Sequence, residues 1–482
     1  MSVQDRLNFV NGAFVPAKGG AWLDDLAPAT GQVIARIPHS SKTDVDAAVA
    51  AAKAALPVWA RTPVVERAAL LDRVADLLEA RLDEVAELES RDTGKPLALA
   101  QSLDIPRAIA NFRFFADLVR TKTDDASMMA DALNYTHRSP VGVCALVTPW
   151  NLPLYLLSWK TAPALAMGNT IVAKPSELTP MTASLLTELL DEAGCPPGVF
   201  NLVHGLGAEA GDALVSHPDV SLVSFTGGTA TGAKVAAAAA PQFKKLSLEL
   251  GGKNPSLVFA DCDFEKAVPG VARAAFLNQG QICLCGSRIL VERSLHDRFV
   301  DALLVELNSW KVGDPSDPAT KIGAGISAAH REKVEGYLKL ALEEGGTIRF
   351  GGKRPDLPAP FDGGFFLEPT VITGLPATCR TATEEIFGPV VTVHPFDNED
   401  EALAMANGTK YGLAASLWTR DLSRAHRAGQ ALESGMVWVN TWLHRDLRVP
   451  FGGVKQSGVG REGGRHSLEF FSEAKNICIK LD

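Results

Sequence analysis

The sequence has no surplus of positive charge. Its 47 Lys and Arg stand against 56 Asp and Glu, a net charge of −9, which argues against a nucleic-acid footprint or a polybasic membrane patch. It has no apolar run long enough to span a bilayer, and its first residues, Met1-Ser-Val-Gln-Asp-Arg6, lack the basic flank and apolar core of a secretory leader. A cytoplasmic location is the expectation. The cysteines, at 144, 195, 262, 283, 285, 379 and 478, are odd in number and lack paired spacing, so reduced thiols are expected rather than a disulfide framework. Cys283-Leu-Cys285 supplies only two candidate metal ligands, and none of the 10 histidines forms a His-x-x-x-His pair. No metal site is expected. Internal repeats and low-complexity tracts are also missing.

What is present is the composition of an ordinary globular protein, 46% hydrophobic and 21% charged over 482 residues, a length that suits two domains with accessory segments. Residues 8 to 36 alternate in short apolar segments broken by Gly, Pro and Asn, consistent with an antiparallel lead-in. Helical spacing follows over Asp44 to Ala60, Val65 to Arg91 and Ser102 to Arg120. From residue 141, strand and helix signals alternate through Val143–Val147, Thr170–Ala173, Val199–Val203, Ser221–Phe225 and Lys245–Leu250. That alternation predicts a doubly wound parallel sheet, with ligands beyond the carboxyl ends of its strands. Ser256 to Thr419 repeats the pattern. The segment 121–140 reads as an excursion from the core, and 449–464 has the glycine density of a mobile or closely packed loop.

Cys283 stands at the end of a Gly-containing turn, Asn278-Gln-Gly-Gln-Ile-Cys283, just before the strand-like run Ile289-Leu-Val. Glu249 lies between two leucines and beside Gly251-Gly252, where partial burial would raise its pKa toward the working range of a base. Asn151 sits in Thr148-Pro-Trp-Asn-Leu-Pro153. Together they read as nucleophile, base and oxyanion-stabilising amide. Three predicted strand ends carry cofactor-type groups. Lys174-Pro-Ser-Glu177 offers a donor for hydroxyl or phosphate oxygens and an acceptor for ribose hydroxyls, and a carboxylate there favours NAD over NADP. Gly205-Leu-Gly-Ala-Glu-Ala-Gly211 departs from the dinucleotide fingerprint by one residue. Gly227-Gly228, opening a helix, suits a phosphate-facing turn.

Thr148-Pro-Trp-Asn, Lys174-Pro-Ser-Glu, Phe225-Thr-Gly-Gly, Glu249-Leu-Gly-Gly-Lys, Gly280-Gln-Ile-Cys, Glu385-Ile-Phe-Gly-Pro and Pro450-Phe-Gly-Gly occur in the order seen in the NAD(P)-dependent aldehyde dehydrogenase superfamily. The resemblance spans nearly the whole chain. It implies an α/β fold of two doubly wound domains with a small β oligomerisation arm. The expected boundaries are 1–120 and 141–249 for NAD binding, 250–448 for catalysis, 121–140 and 465–482 for oligomerisation, and 449–464 for a substrate-channel loop. It further implies cofactor contacts at Trp150, Lys174, Ser176, Glu177, Gly205, Gly227, Gly228, Leu250, Glu385 and Phe387. At the second glycine of Gly227-Gly228 the superfamily commonly has Ser, so one hydroxyl contact to the pyrophosphate is missing. A homodimer or homotetramer is expected, with a small-molecule aldehyde as substrate.

Within the superfamily, Cys283-Leu-Cys-Gly-Ser-Arg288, Asp104-Ile-Pro-Arg-Ala-Ile-Ala-Asn-Phe-Arg-Phe-Phe115 and the run from Arg445 to Lys480 resemble the branch that oxidises 2-aminomuconate and 2-hydroxymuconate semialdehydes. Arg107 and Arg445 are then expected to hold the substrate carboxylate, while Arg113 and Arg448 are expected to make ordinary ion pairs. The bland alternatives for the first two are pairs with Asp104 and Asp446. The rival functions are a dehydrogenase of other aliphatic or aromatic aldehydes, a coenzyme-A-acylating enzyme, a cofactor-free Cys hydrolase and a non-catalytic relative.

Overall fold

The computed structural model describes residues 3–481. The lead-in forms two antiparallel pairs, Asn8–Val10 with Ala13–Val15 and Trp22–Leu26 with Val33–Pro38. Helix Lys42–Trp59 starts at a capping box in which Asp44 accepts from the Ser41 amide at 2.8 Å. The helical pattern expected over Val65 to Arg91 is two helices, Val64–Ala80 and Leu82–Thr93, broken at Arg81. The second ends on Gly94 in the left-handed region, φ 75°. Helix Ile105–Arg120 buries Ile105, Ala108, Phe112, Phe115 and Ala116 along one face, packing on Val64–Ala80 and on Pro153–Ala166.

Two sheets organise the rest. The first has eight strands, with Lys245–Glu249, Val220–Thr226, Val143–Val147, Thr170–Lys174 and Phe200–Leu202 side by side and parallel. Thr170–Lys174 is buried along its whole length, as a parallel strand covered on both faces must be. The second has seven strands, in which Thr370–Thr373, Val390–Phe396, Arg288–Glu292, Pro255–Val258, Ala414–Trp418 and Met436–Val439 run parallel. The carboxyl ends of the first sheet lead into Thr148–Asn151, Gly227 and Glu249. Leu250–Asn254, Cys283 and Glu385–Phe387 precede the amino ends of strands in the second. The candidate residues therefore converge where one sheet's strands end and the other's begin.

The glycine-rich segment 449–464 is a strap across this junction. Val454–Lys455 pairs with Tyr411–Gly412, and Gly458–Val459 pairs with Leu248–Glu249 at the edge of the first sheet. A Cβ on Gly435 would lie 1.7 Å from the Gly452 carbonyl oxygen, so the strap seats against bare backbone. Residues 126–140 and the C-terminal strand Ser472–Lys480 form a separate antiparallel sheet of three strands. No helix among the described residues is long and apolar enough to cross a membrane.

Arg288 anchors the second sheet from inside. It is 2% exposed, and its guanidinium donates to the carbonyls of Lys253 (3.0 Å), Met405 (2.8 Å) and Ala406 (2.7 Å), the last two at the end of helix Glu399–Asn407. Burial lowers its pKa to about 10, leaving it cationic at neutral pH. In Arg288→Leu the Met405 carbonyl keeps the Gly408 amide at 3.2 Å, while the Lys253 and Ala406 carbonyls lose their donor, each costing about 1–3 kcal/mol when buried unpaired. Chemical denaturation is expected to register a stability loss of at least about 2 kcal/mol.

Candidate active site

The turn before Cys283 is wound through the left-handed region at Asn278 (φ 53°), Gln279 (φ 57°) and Gly280 (φ 68°). A Cβ on Gly280 would stand 2.2 Å from the Gly388 carbonyl oxygen, which ties the turn to the Glu385–Pro389 segment. Cys283 emerges half-buried in the wall of a cavity of about 240 Å³, facing Asn151, Trp150 and Leu156 from the first sheet. Asn151 is buried. Its side-chain amide donates to the Gln281 carbonyl at 2.9 Å, and its main-chain carbonyl accepts from Lys95 Nζ (3.1 Å) and Asn278 Nδ2 (3.2 Å). One amide hydrogen is thus spent on positioning, and the second is available to an oxyanion.

Glu249 ends strand Lys245–Glu249 at 4% exposure, with Oε1 lacking any hydrogen-bond partner. Gly452 makes room for it, since a Cβ there would lie 2.8 Å from that oxygen. Burial pushes the Glu249 carboxyl well above the ordinary carboxylate range, and the neighbouring Glu462 adds to the shift against Lys160, Arg445 and Arg461. Burial, followed by the charge of Glu249, also pushes the Cys283 thiol far up. That shift favours the Cys283 thiol over the thiolate, the form in which a cysteine is nucleophilic.

Sequence reasoning missed the groups behind Glu249. Lys160 Nζ donates to Glu462 Oε1 at 2.8 Å and to Ser224 Oγ at 2.8 Å, all within the core. A signal existed, because Lys160 is the only charged side chain in helix Pro153–Ala166. It also missed His330 and Lys333, which reach the cavity from helix Ala328–Glu343. His330 Nε2 is hydrogen-bonded to the Phe387 carbonyl at 2.7 Å, and burial lowers its pKa to about 4. Its ring stands edge-on to Trp150, as does that of Phe387, with centroids 5.2 and 5.3 Å away.

The expected cofactor residues divide by position. Gly227, Gly228 and Leu250 line the Cys283 cavity with Glu385 and Phe387. Gly228 is the N-cap of helix Thr229–Ala239 and supplies no side-chain cap, so the first amides of that helix remain open to an anion. Nothing lies within 4 Å of a Cβ at Gly228. Glu385 Oε1 accepts from the Gly252 amide at 2.8 Å. Lys174 is buried at its strand end, donates to the Pro175 carbonyl at 2.8 Å and stands 3.5 Å from the half-buried Glu177. Ser176 Oγ accepts from the Leu178 amide at 3.2 Å, closing the turn. Gly205 is not part of the cavity wall. Its φ of 135° and a Cβ position 3.2 Å from Ser40 backbone atoms make it a packing glycine.

Arg107 and Arg445 meet in a second, more open hollow with Trp438 and His444. Arg445 donates to Tyr155 Oη at 3.0 Å and lies 3.9 Å over the Phe451 ring. Arg107 lies over Tyr155, with its Nε and Nη2 buried and unpartnered. Tyr155 and Phe451 share an apolar cluster with Cys283. The bland ion pairs do not form. Asp104 is taken by Lys95, and Asp446 by Arg448 at 3.0 Å. Arg113 pairs with Asp76 at 3.0 Å and also with Glu79.

Comparison with known proteins agrees with this geometry. Residues 14–477 match the model of the aldehyde dehydrogenase family. The chain belongs to that family. It is 51% identical over 477 residues to a 2-aminomuconic semialdehyde dehydrogenase of Danio rerio, covering 98% of both chains. It is 51% identical over 481 residues to a 2-hydroxymuconic semialdehyde dehydrogenase of Pseudomonas sp. (strain CF600), covering 98% of this chain and 99% of that one. Among solved structures, betaine aldehyde dehydrogenase of Staphylococcus aureus in complex with NAD+ superposes with a TM-score of 0.95 at 39% identity, covering 98% of this chain and 94% of that one. As an aldehyde dehydrogenase, the protein is an oxidoreductase acting on an aldehyde group.

The raised carboxyl of Glu249 makes a signed prediction for this aldehyde dehydrogenase. A carboxyl whose pKa is raised by burial can accept a proton as a base only as pH climbs through that raised pKa. The rate should therefore rise with pH along a limb above the ordinary Glu value of about 4.3. A kcat profile for Glu249→Gln should lose that limb, and a profile identical to the parent's would exclude Glu249 as the base.

Proposed function

We propose that this aldehyde dehydrogenase oxidises a carboxylate-bearing semialdehyde, 2-aminomuconate or 2-hydroxymuconate 6-semialdehyde, to the dicarboxylic acid with NAD as acceptor. The observation that carries the substrate class is the Arg107 and Arg445 pair, two guanidiniums without a carboxylate partner beside the apolar cluster that holds Cys283. A planar guanidinium suits a carboxylate, and buried unpartnered donors favour a ligand that supplies acceptors.

The residues fit the cofactor. Thr226 Oγ1 is buried without a partner in the cavity wall, next to the open helix N-terminus at Gly228, so both donors suit a pyrophosphate. Lys174 and Glu177 would hold a ribose, and Glu385 would hold the nicotinamide-side ribose with Phe387, Trp150 and Leu250 as apolar walls. When bound, NAD supplies the hydride acceptor.

In the proposed reaction Glu249 takes the Cys283 proton and the sulfur adds to the aldehyde carbon. The carbonyl electrons move onto oxygen, where the Asn151 amide and the Cys283 backbone N–H stabilise the oxyanion. Loss of hydride from that carbon leaves a thioester on Cys283. Glu249 passes that first proton to solvent and then draws one from water as the hydroxide equivalent adds to the acyl carbon. Collapse breaks the carbon–sulfur bond, the acid departs, and the released sulfur takes the proton back from Glu249.

The oligomer belongs to the same proposal. Ser472–Lys480 is an edge strand, exposed along most of its length, and an open edge invites pairing with a second copy. A cytoplasmic homodimer or homotetramer is the reading that results.

Two measurements test the assignment. Arg445→Ala and Arg107→Ala should each lower kcat/KM for a muconate-type semialdehyde by about 2–5 kcal/mol, the range for losing one partner of a desolvated charge pair. The rate with hexanal should barely change. Equal losses on both substrates would give the arginines a packing role and remove the carboxylate reading. Glu177→Gln should raise the NADP to NAD ratio of kcat/KM by about tenfold or more, because like charges facing each other cost several kcal/mol. An unchanged ratio would move ribose selection to other residues.

A further inference from the structure

Cys283 lies on a loop with almost no regular hydrogen bonding of its own, yet its backbone is held from three sides. The Cys285 amide donates to the Ile282 carbonyl at 2.9 Å, which fixes the peptide plane carrying the Cys283 N–H, since N–H and C=O of one peptide are coplanar and opposed. The Leu284 carbonyl accepts from Trp442 Nε1 at 2.9 Å. The carbonyls on either side, of Cys283 and Cys285, both accept from one side chain, Asn254 Nδ2, at 2.7 and 2.9 Å. Asn254 is 3% exposed, and its other end is tied down, Oδ1 accepting from the Ala414 amide at 3.0 Å. No protein acceptor engages the Cys283 N–H among the described residues.

We propose that Asn254 is the positioning residue of the oxyanion site, using both amide hydrogens to lock the Cys283–Cys285 backbone so that the Cys283 N–H stays aimed into the cavity. The proposal rests on the reading of Cys283 as nucleophile. Asn suits the task because a planar amide has two donors on one nitrogen and an acceptor on the opposite side. Here the donors clamp the nucleophile's loop and the acceptor fastens the clamp to strand Ala414–Trp418. The adjoining Gly252 leaves no slack, since a Cβ there would meet Asn254 Oδ1 at 2.8 Å and the Cys283 carbonyl oxygen at 2.9 Å. Asn254 does not touch the reacting atoms in this account. It acts through the peptide planes of the loop.

Such a role separates two reactions of the same sulfur. Addition to a carbonyl develops an oxyanion and needs the N–H, whereas alkylation by iodoacetamide displaces iodide at a saturated carbon and develops none. In Asn254→Ala, rapid-mix NADH formation in a single turnover should fall by about 10–100-fold, within the 10²–10³ range for losing one oxyanion donor outright. The second-order rate of Cys283 alkylation should stay within about threefold, because reactivity of the sulfur itself does not depend on that donor. Asn254→Ser, which keeps one short donor, should fall between parent and Ala variant, and it guards against a folding failure of the Ala form. Equal losses in both reactions would make Asn254 a general packing residue, and an undiminished single turnover would remove its role altogether. Cys283→Ala run alongside separates the failures, because NADH formation persisting in that variant would overturn the nucleophile reading itself.

Discussion

The site depends on how few residues carry the chain from one sheet to the other. The last parallel strand of the first sheet ends at Glu249 and the second sheet begins at Pro255, so Leu250-Gly-Gly-Lys-Asn254 is the whole of the forward crossing. Every one of its positions is committed. The Leu250 amide donates to the Ser457 carbonyl at 2.9 Å and its side chain walls the cavity. A Cβ at Gly251 would lie 2.2 Å from Glu385 Oε2, the Gly252 amide holds the same carboxylate, and Lys253 Nζ donates to the Thr381 carbonyl at 2.8 Å. With Asn254 on the Cys283 loop, five consecutive residues set Glu249, Cys283 and Glu385 relative to one another. A longer or more flexible link would leave the same groups present and their geometry loose, and misplacement on the scale of an ångström is enough to cost a large part of a rate.

The same economy explains what could be read from the sequence. Cys283, Glu249 and Asn151 could be singled out from local sequence alone: a thiol at a turn, an acid between leucines, an amide between prolines. The parallel sheets are legible because apolar runs alternate with helical ones. What escaped depends on tertiary approach. The Lys160 to Glu462 contact joins residues 302 apart in sequence, and His330 reaches Phe387 across 57, so no spacing rule brings them together. Gly205 stands apart from the lining of the Cys283 cavity, and a Cβ there would come within 3.2 Å of Ser40 backbone atoms, an approach no spacing rule shows. The break at Arg81 was hidden because helical periodicity continues across it.

Charge pairing also determines what remains unpaired. Lys95, fully buried, takes Asp104 and the Asn151 carbonyl together. Asp104 is then unavailable to Arg107, and Asn151 is held where its amide faces Cys283. Arg448 does the same to Asp446, which would otherwise neutralise Arg445. The two arginines that meet at Tyr155 are those whose sequence neighbours have been claimed by other cations. Like charges left side by side cost free energy, and the pair is tolerated because Tyr155, Trp159 and Phe451 present ring faces to the guanidiniums.

Burial acts on Cys283 and Glu249 in the same direction. Desolvation raises both Cys283 and Glu249, and each disfavours the charged form of the other. Both shifts favour the neutral forms, so a negative charge on either group is costly in this apolar space, and the cations that lower its cost stand around it. Arg445 opposes the shift on both residues, while Lys160 and Arg461 oppose it on Glu249. The cations around Cys283 and Glu249 thus act against desolvation, and the balance between the two, rather than either alone, sets how readily either group carries charge.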